Sequence, residues 1–359
     1  HTTEYGWHSV GVERTIIFDR EEVKKTSVKK LSLKLAKALS DKKPDAVAIN
    51  GWSHIGALAA LYWCRENGIP AIVMSESAAE DDLRVQWKEK LKRKLIRLFG
   101  AGLVGGGKHV SYLKELGMEQ ENIFTGYDVV DNQYFQDTVN KVREGKDIIH
   151  GPSMPSKFFL VSSRFIYKKN LPFIIKAFAK YRQQITENKF DLVILGDGPL
   201  RSILEQMIKD LHLENAVHLP GFIQYEELPF YYAHASCLIH ASTTEQWGLV
   251  VNEAMASGLP VIVSENCGCV PELVCEGVNG FTFNPLDQKA LTRIMLSISA
   301  PSCELSAMGA KSKEIIKDWQ PIQFGKGLHQ AAISAINKIQ APFGLVEKFI
   351  IKSLMYTKK

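Results

Sequence analysis

Short apolar runs recur along the chain at residues 15–19, 46–50, 71–75, 102–105 and 123–125, separated by stretches with helical spacing such as 23–39 and 55–67. After a polar break at 136–157 the alternation restarts, with apolar runs at 158–163, 191–196, 217–219, 237–240, 260–264 and 281–283. Helical patterns at 172–182, 200–212, 248–257 and 288–297 lie between them. Brief β-rich runs alternating with helices predict an α/β fold of parallel sheets covered on both faces. A chain of 359 residues is too long for one ordinary core, so two domains are expected. The break, punctuated by Pro152 and Pro155, sets the expected boundary: an N-terminal Rossmann-like domain at 1–150 and a second at 151–320. Two doubly wound domains facing each other create a cleft, and ligands bind at the carboxyl ends of their strands. The chain opens at His1 with no methionine and little early patterning, so an N-terminal segment is expected to be absent.

Composition narrows the class. The hydrophobic fraction of 45% and charged fraction of 23% are those of a globular protein. A net charge of +5 is too mild for a dedicated nucleic-acid binder. The six cysteines form no CxxC pair and have no histidine at zinc-ligand spacing, which favours free thiols in a reducing cytoplasm. No apolar run reaches a membrane span and no signal peptide is evident.

The stretch His240–Ser264 concentrates the candidate chemistry. An apolar strand leads to a polar loop carrying Glu245, then a helix beginning at Gly248-Leu249-Val250 with Glu253 on its early turns. A helix N-terminus offers unpaired N–H groups and a positive dipole end to a phosphate. Carboxylates beside it can accept hydrogen bonds from sugar or ribose hydroxyls. A phosphate with sugars on both sides is a sugar nucleotide. Acidic residues are also common at helix starts for purely structural reasons, so this spacing alone does not decide the matter. Arg164 and Lys169 follow the strand at 158–163, where two cations suit a diphosphate. The backbone at Phe222–Ile223 is placed to meet a base, whereas Phe230, Tyr231 and Tyr232 read as core packing.

Other patterns are weaker. Gly100, Gly102 and Gly105 match GxGxxG, but Leu103-Val104 inside the motif form the strand itself, so the dinucleotide fingerprint has the wrong context. The trio Glu80-Asp81-Asp82 is expected to open the next helix as a cap. No Asp-x-Asp lies at a strand end, so no metal is expected. Residues 83–98 hold seven Lys or Arg against one Glu, with Trp87 among leucines at helical spacing. That pattern suits either a membrane-surface helix or a surface helix packing on the sheet.

Taken together, these residues resemble a retaining glycosyltransferase of family 4, with the GT-B fold. The pair Glu245/Glu253, the run GLVVNEAMASGLPVIVS, Arg164/Lys169, GDGPL, LPGF and NPLD all match that family's pattern. GYDVVDNQYF resembles its segment before the linker. The resemblance implies that Glu253 holds the ribose hydroxyls and Glu245 the donor sugar. Arg164, Lys169 and the amides from Gly248 through Leu249 and Val250 would grip the diphosphate, with the nucleoside near Phe222 and Ile223. It further implies that residues 321–359 return to the N-terminal domain. The chain departs from the pattern at Glu76, where a histidine is usual, and His54 is a second candidate for work near the reacting carbon or acceptor. Cys269 replaces a glycine before Pro271-Glu272. The family's first strand and glycine-rich acceptor loop are missing.

The resulting expectation is metal-independent, retaining transfer of a hexose from a UDP-sugar such as UDP-glucose. The acceptor is expected to be a saccharide or lipid-linked saccharide in exopolysaccharide biosynthesis, at the cytoplasmic face of an anionic membrane. A nucleotide-sugar epimerase and a non-catalytic nucleotide-sugar scaffold remain the alternatives.

Overall fold

The computed structural model describes residue 17 and residues 26–81, 84–146 and 154–357. The strand expected at 15–19 lies outside them, Ile17 apart. The described residues form two compact units, one from Val129 to Pro321 and the other comprising those before Val129 together with those from Ile322 onward.

In the unit that ends at Asp128, four strands form one parallel sheet in the order β1-β2-β3-β4: β1 (Val47–Asn50), β2 (Ala71–Ser75), β3 (Ala101–Val104) and β4 (Ile123–Thr125). Helices α1 (Val28–Lys42), α2 (Ile55–Asn67), α3 (Gln86–Ile96) and α4 (Gly107–Glu115) alternate with them. The core on one face joins Leu58, Leu61, Val73 and Val104 to Leu95, Ile96 and Leu113. Gly102, the middle glycine of the GxGxxG match, is inside β3, where a Cβ would meet Leu113 Cδ1 at 2.6 Å. It is a packing glycine. The trio at 80–82 does not open a helix: Ala79–Asp81 is a short 3-10 turn, with Asp81 accepting from the Ala78 amide at 2.7 Å, and α3 starts only at Gln86. Asp82 and Leu83 lie outside the described residues.

Two C-terminal helices, α13 (Pro321–Asn337) and α14 (Leu345–Thr357), follow. From Ile322 onward they belong to the β1–β4 unit. Ala331 and Ala335 of α13 are buried against Ile72, Ala101 and Leu103. Small residues permit this close approach: a Cβ on Gly327 would fall 2.2 Å from the Thr125 carbonyl oxygen. Ile351 and Met355 of α14 enter the core on the other face.

The second unit holds six parallel strands in the order β10-β9-β8-β5-β6-β7. They are β5 (Phe158–Ser162), β6 (Asp191–Leu195), β7 (Val217–Gly221), β8 (Cys237–His240), β9 (Val261–Ser264) and β10 (Gly280–Phe283). Nearly every residue of the central strands is apolar because both faces are covered. Alternate residues divide between two cores. Phe159, Val161, Leu192, Ile194 and Ile239 pack beneath α6 (Leu171–Gln184), α7 (Arg201–Asp210) and α11 (Gln288–Ser299). Phe158, Leu160, Val193 and Leu238 face α8 (Leu228–His234), α9 (Leu249–Ala256) and α12 (Leu305–Ile316). The short helix α10 (Val270–Leu273) contributes Leu273 to that second core.

The boundary expected at residue 150 lies elsewhere. Helix α5 (Asn132–Arg143), capped by Asp131 accepting from the Tyr134 amide, buries Phe135 and Val139 in the second unit's core, so the division falls before Val129. The sequence break at 136–157 begins inside this helix. Its apolar positions are few, so its burial depends on the aromatic partners Tyr225 and Tyr232, which meet Phe135 edge-on.

Candidate donor site

The strand order of the second unit reverses direction between β5 and β8, since β5 is followed by β6 on one side while β8 returns on the other. Such a switch point leaves a crevice beyond the carboxyl ends of the two strands, where both following loops diverge. The loops leaving these two strands carry the Arg164/Lys169 segment and the Glu245–Gly248 segment.

After β5 the chain passes the exposed Arg164 and turns through a 3-10 segment, Tyr167–Lys169. Asn170 then takes a left-handed conformation, φ 57°, and α6 begins. The β8 loop is tied to this turn, because the Thr243 amide donates to the Lys168 carbonyl at 2.8 Å. Glu245 is held from several directions. Lys169 Nζ donates to its Oε2, Ser242 Oγ donates to the same oxygen at 2.9 Å, and Lys168 Nζ stands 3.4 Å from Oε1. His240, the last residue of β8 and fully buried, lies 3.5 Å from Oε2. Burial opposes ionisation of Glu245, but the His240 hydrogen bond and the Lys169 charge outweigh it and hold the carboxyl far below the usual range. His240 itself is pushed down by burial and by the two lysines, which leaves it neutral at pH 7.

Gly248 is the N-cap of α9 at φ 107°, a backbone state that L side chains avoid. A Cβ there would stand 3.3 Å from His240 Nε2 and 3.6 Å from Glu245 Cγ. The helix therefore starts directly against the charged cluster, and its first amides belong to Leu249, which is 40% exposed, and Val250, which packs on the core. Trp247 behind this turn is buried, donates Nε1–H to Asn252 Oδ1 at 2.9 Å and packs on Trp319. The loop's course is thus fixed by an aromatic anchor.

Glu253 is a separate feature on α9. Tyr232 Oη donates to its Oε2 at 2.7 Å. Burial pushes Glu253 up to about 7 despite that hydrogen bond. Ser162, the last residue of β5, also hydrogen-bonds Tyr232, so Glu253 is anchored at the end of that strand. After β7, Phe222 is 48% exposed while Ile223 packs on the core.

The structure therefore brings Lys169, Glu245 and Gly248 into contact, with Lys169 and Glu245 paired to each other. Arg164 on the same loop makes no ion pair with a described residue. His240, Ser242 and Lys168 escaped the sequence reading, and so did the second role of Tyr232, which is buried as expected but also donates to Glu253. The detectable signals were a polar residue ending an apolar strand, a hydroxyl three before Glu245, and a tandem lysine.

Glu76 and His54 belong to the other unit. His54 is exposed at the N-cap of α2 and makes no capping bond. Glu76 follows β2 and hydrogen-bonds Asp128; burial and the Glu76 charge push Asp128 up to about 9. A Cβ on Gly105 would fall 2.2 Å from Asp128 Oδ2, so the backbone there must be glycine for the carboxyl pair to fit.

Residues 143–314 match the family of glycosyl transferases group 1. The matched segment, just under half of the chain, is thus similar to a group 1 glycosyltransferase domain. Among relatives, it is 31% identical over 205 residues to the alpha-monoglucosyldiacylglycerol synthase of Streptococcus pneumoniae, covering 56% of this chain and 45% of that protein. It is 34% identical over 160 residues to the amylovoran biosynthesis glycosyltransferase AmsK of Erwinia amylovora, covering 43% of this chain and 38% of that protein. The chain thus spans less than half the length of these relatives. In fold, the crystal structure of Anabaena HepE in complex with UDP is similar with a TM-score of 0.69 and 19% identity, over 84% of this chain and 82% of that one. The two Rossmann-like units are those of the GT-B fold, and the residues that match the family lie in the six-stranded one.

Proposed function

We propose that the protein transfers a hexosyl group from a UDP-sugar to a hydroxyl of a saccharide or lipid-linked acceptor, with retention of configuration and without a metal. The observation that carries this reading is the convergence of Lys169, Glu245 and the Gly248 N-cap of α9 at the β5/β8 switch point. Around a nucleoside diphosphate, the first amides of α9 and the cations Lys169 and Arg164 would take the charge that grows on the leaving group. Glu253, secured by Tyr232, would accept hydrogen bonds from ribose hydroxyls. Glu245 would orient the donor sugar, its carboxylate held ionised by Lys169 and His240. The uridine reading draws support from the HepE complex with UDP, and the acceptor reading from the names of the two relatives, one a synthase of monoglucosyldiacylglycerol and one in amylovoran biosynthesis.

A peripheral membrane location on the cytoplasmic side is part of the same proposal. Among the described residues no helix is long and apolar enough to cross a membrane. On α3, Leu95 and Ile96 pack inward whereas Trp87 is 64% exposed beside Lys88 and Lys90. The neighbouring α14 exposes Leu345, Val346 and Phe349. Basic residues interleaved with exposed apolar ones suit an anionic bilayer surface.

Calorimetric titration with UDP tests the donor assignment, comparing the natural chain with Lys169→Ala and Glu253→Gln. Both substitutions are expected to weaken binding at least ten-fold; unchanged binding in both defeats the assignment. Incubation of UDP-glucose with and without lipid and saccharide acceptors then separates transfer from epimerisation and from binding alone.

A further inference from the structure

At the opposite end of the strands of the six-stranded sheet, beside the amino ends of β8 and β9, the second unit has a cavity of about 520 Å³. Its walls include Ser236 and Pro260, which precede those two strands, and Leu305, Ser306, Gly309 and Lys313, one face of α12. Arg143, the last residue of α5, completes the rim. Two cations and two hydroxyl side chains thus line one cavity. No carboxylate is among the lining residues.

The cations are held there rather than swinging free. Arg143 Nε donates to the Ala233 carbonyl at 3.1 Å. The Lys313 stem lies against Gly258, where an added Cβ would come within 2.6 Å of Lys313 Cε. Gly309 must also be glycine, since a Cβ would fall 2.1 Å from the Gly258 carbonyl oxygen, so α12 packs tightly enough to fix the height of Lys313. Among the described residues Lys313 has no ion pair or hydrogen bond. Its neighbours on α12, Lys311 and Glu314, satisfy each other on the exposed face. Burial and the Arg143 charge both push Lys313 down from its usual range, and burial lowers Arg143 as well. Arg143 is exposed at the mouth of the cavity and Lys313 is half-buried; like charges held on one opening repel, and an anion bound between them relieves that repulsion. The carbonyl ends of α9, at Ser257 and Gly258, and of α8, where Arg143 donates to Ala233, each favour a nearby cation through the helix dipole, but neither supplies a full negative charge to the cavity.

We infer that this cavity is a binding site for a phosphoryl group, either free phosphate or the head group of an anionic phospholipid. Arg143 supplies a planar fork suited to two phosphate oxygens, Lys313 supplies a point charge, and the Ser236 and Ser306 hydroxyls line the same space. The site is distinct from the candidate donor site, which lies beyond the other ends of the strands, and the inference stands whether or not the donor assignment holds.

Lysine labelling of the full chain with an amine-reactive reagent, read by peptide mass spectrometry, tests it at Lys313 itself. One arm adds inorganic phosphate against chloride at matched ionic strength. A second adds phosphatidylcholine vesicles with or without phosphatidic acid. The labelling rate of Lys313 is expected to fall about ten-fold when the probe exceeds its dissociation constant about ten-fold. Protection in the first arm alone assigns soluble phosphate; protection in the second alone assigns the lipid head group; protection in both assigns the phosphoryl group generally. Lys313 labelling that is equal with and without probe in both arms overturns the site. Arg143→Met must abolish the protection while its melting temperature stays within a degree or two of the parent's, and Arg143→Lys must restore part of it. Protection that persists unchanged in Arg143→Met also overturns the inference.

Discussion

Glu253 is the residue whose replacement is most informative, because one substitution should stabilise the fold and harm the site. Its carboxyl titrates near 7 in the folded chain against a reference value of 4.5, chiefly through burial. Between those two values the unfolded chain has released its proton while the folded chain retains it, so stability falls as pH rises and levels off above about 7. The separation corresponds to about 3 kcal/mol of lost stability once both forms are ionised. Glu253→Gln removes the titration. The amide oxygen of glutamine can still accept from Tyr232 Oη, so the hydrogen bond at 2.7 Å need not be lost. Urea unfolding of the full chain and the variant, followed from pH 5 to 8.5, should show the variant's advantage growing with pH toward about 3 kcal/mol. The same variant should bind UDP at least ten-fold less tightly at pH 8. In the natural chain UDP affinity should decline below pH 7, since the ionised carboxylate accepts from hydroxyls more strongly than the protonated form. A stability difference that is the same at pH 5 and pH 8.5 would refute the reasoning.

Other outcomes follow from the same geometry. Lys169→Ala and Glu245→Ala should each lower transfer at least ten-fold, about 1.4 kcal/mol of barrier, with folding intact by circular dichroism. Because the Glu245 carboxyl is held far below its unfolded value, Glu245→Gln should destabilise the chain at pH 7, and thermal melts should show that loss fading as pH falls below 4.5. Gly248→Ala, which forces φ 107° on an L residue against His240, should cost about 1–3 kcal/mol in urea unfolding and impair UDP binding. Transfer rates should be unchanged by EDTA and by added magnesium; a dependence on either overturns the metal-free proposal. Flotation with anionic liposomes should be lost in Trp87→Ser combined with Lys88→Glu and Lys90→Glu, and absence of binding by the natural chain at low salt removes the membrane proposal.

The alternation of short apolar runs with helical segments determined two parallel sheets from the chain alone, because strands buried on both faces must be apolar throughout. Residues 71–75, 123–125 and 237–240 were legible to their ends. The helix start between Glu245 and Glu253 was legible too, since an N-terminal turn and its glycine are local features. What tertiary structure alone decided depends on contacts distant in sequence. Helix α5 joined the second unit because Phe135 met Tyr225 and Tyr232, some ninety residues further on, and no local pattern records that choice. His240 became part of the site only because β8 returned beside β5 and Lys169 came within reach of Glu245. Arg143 and Lys313 acquired a shared cavity in the same way, since charge is written in the sequence but the distance and burial that give charge its energy are not.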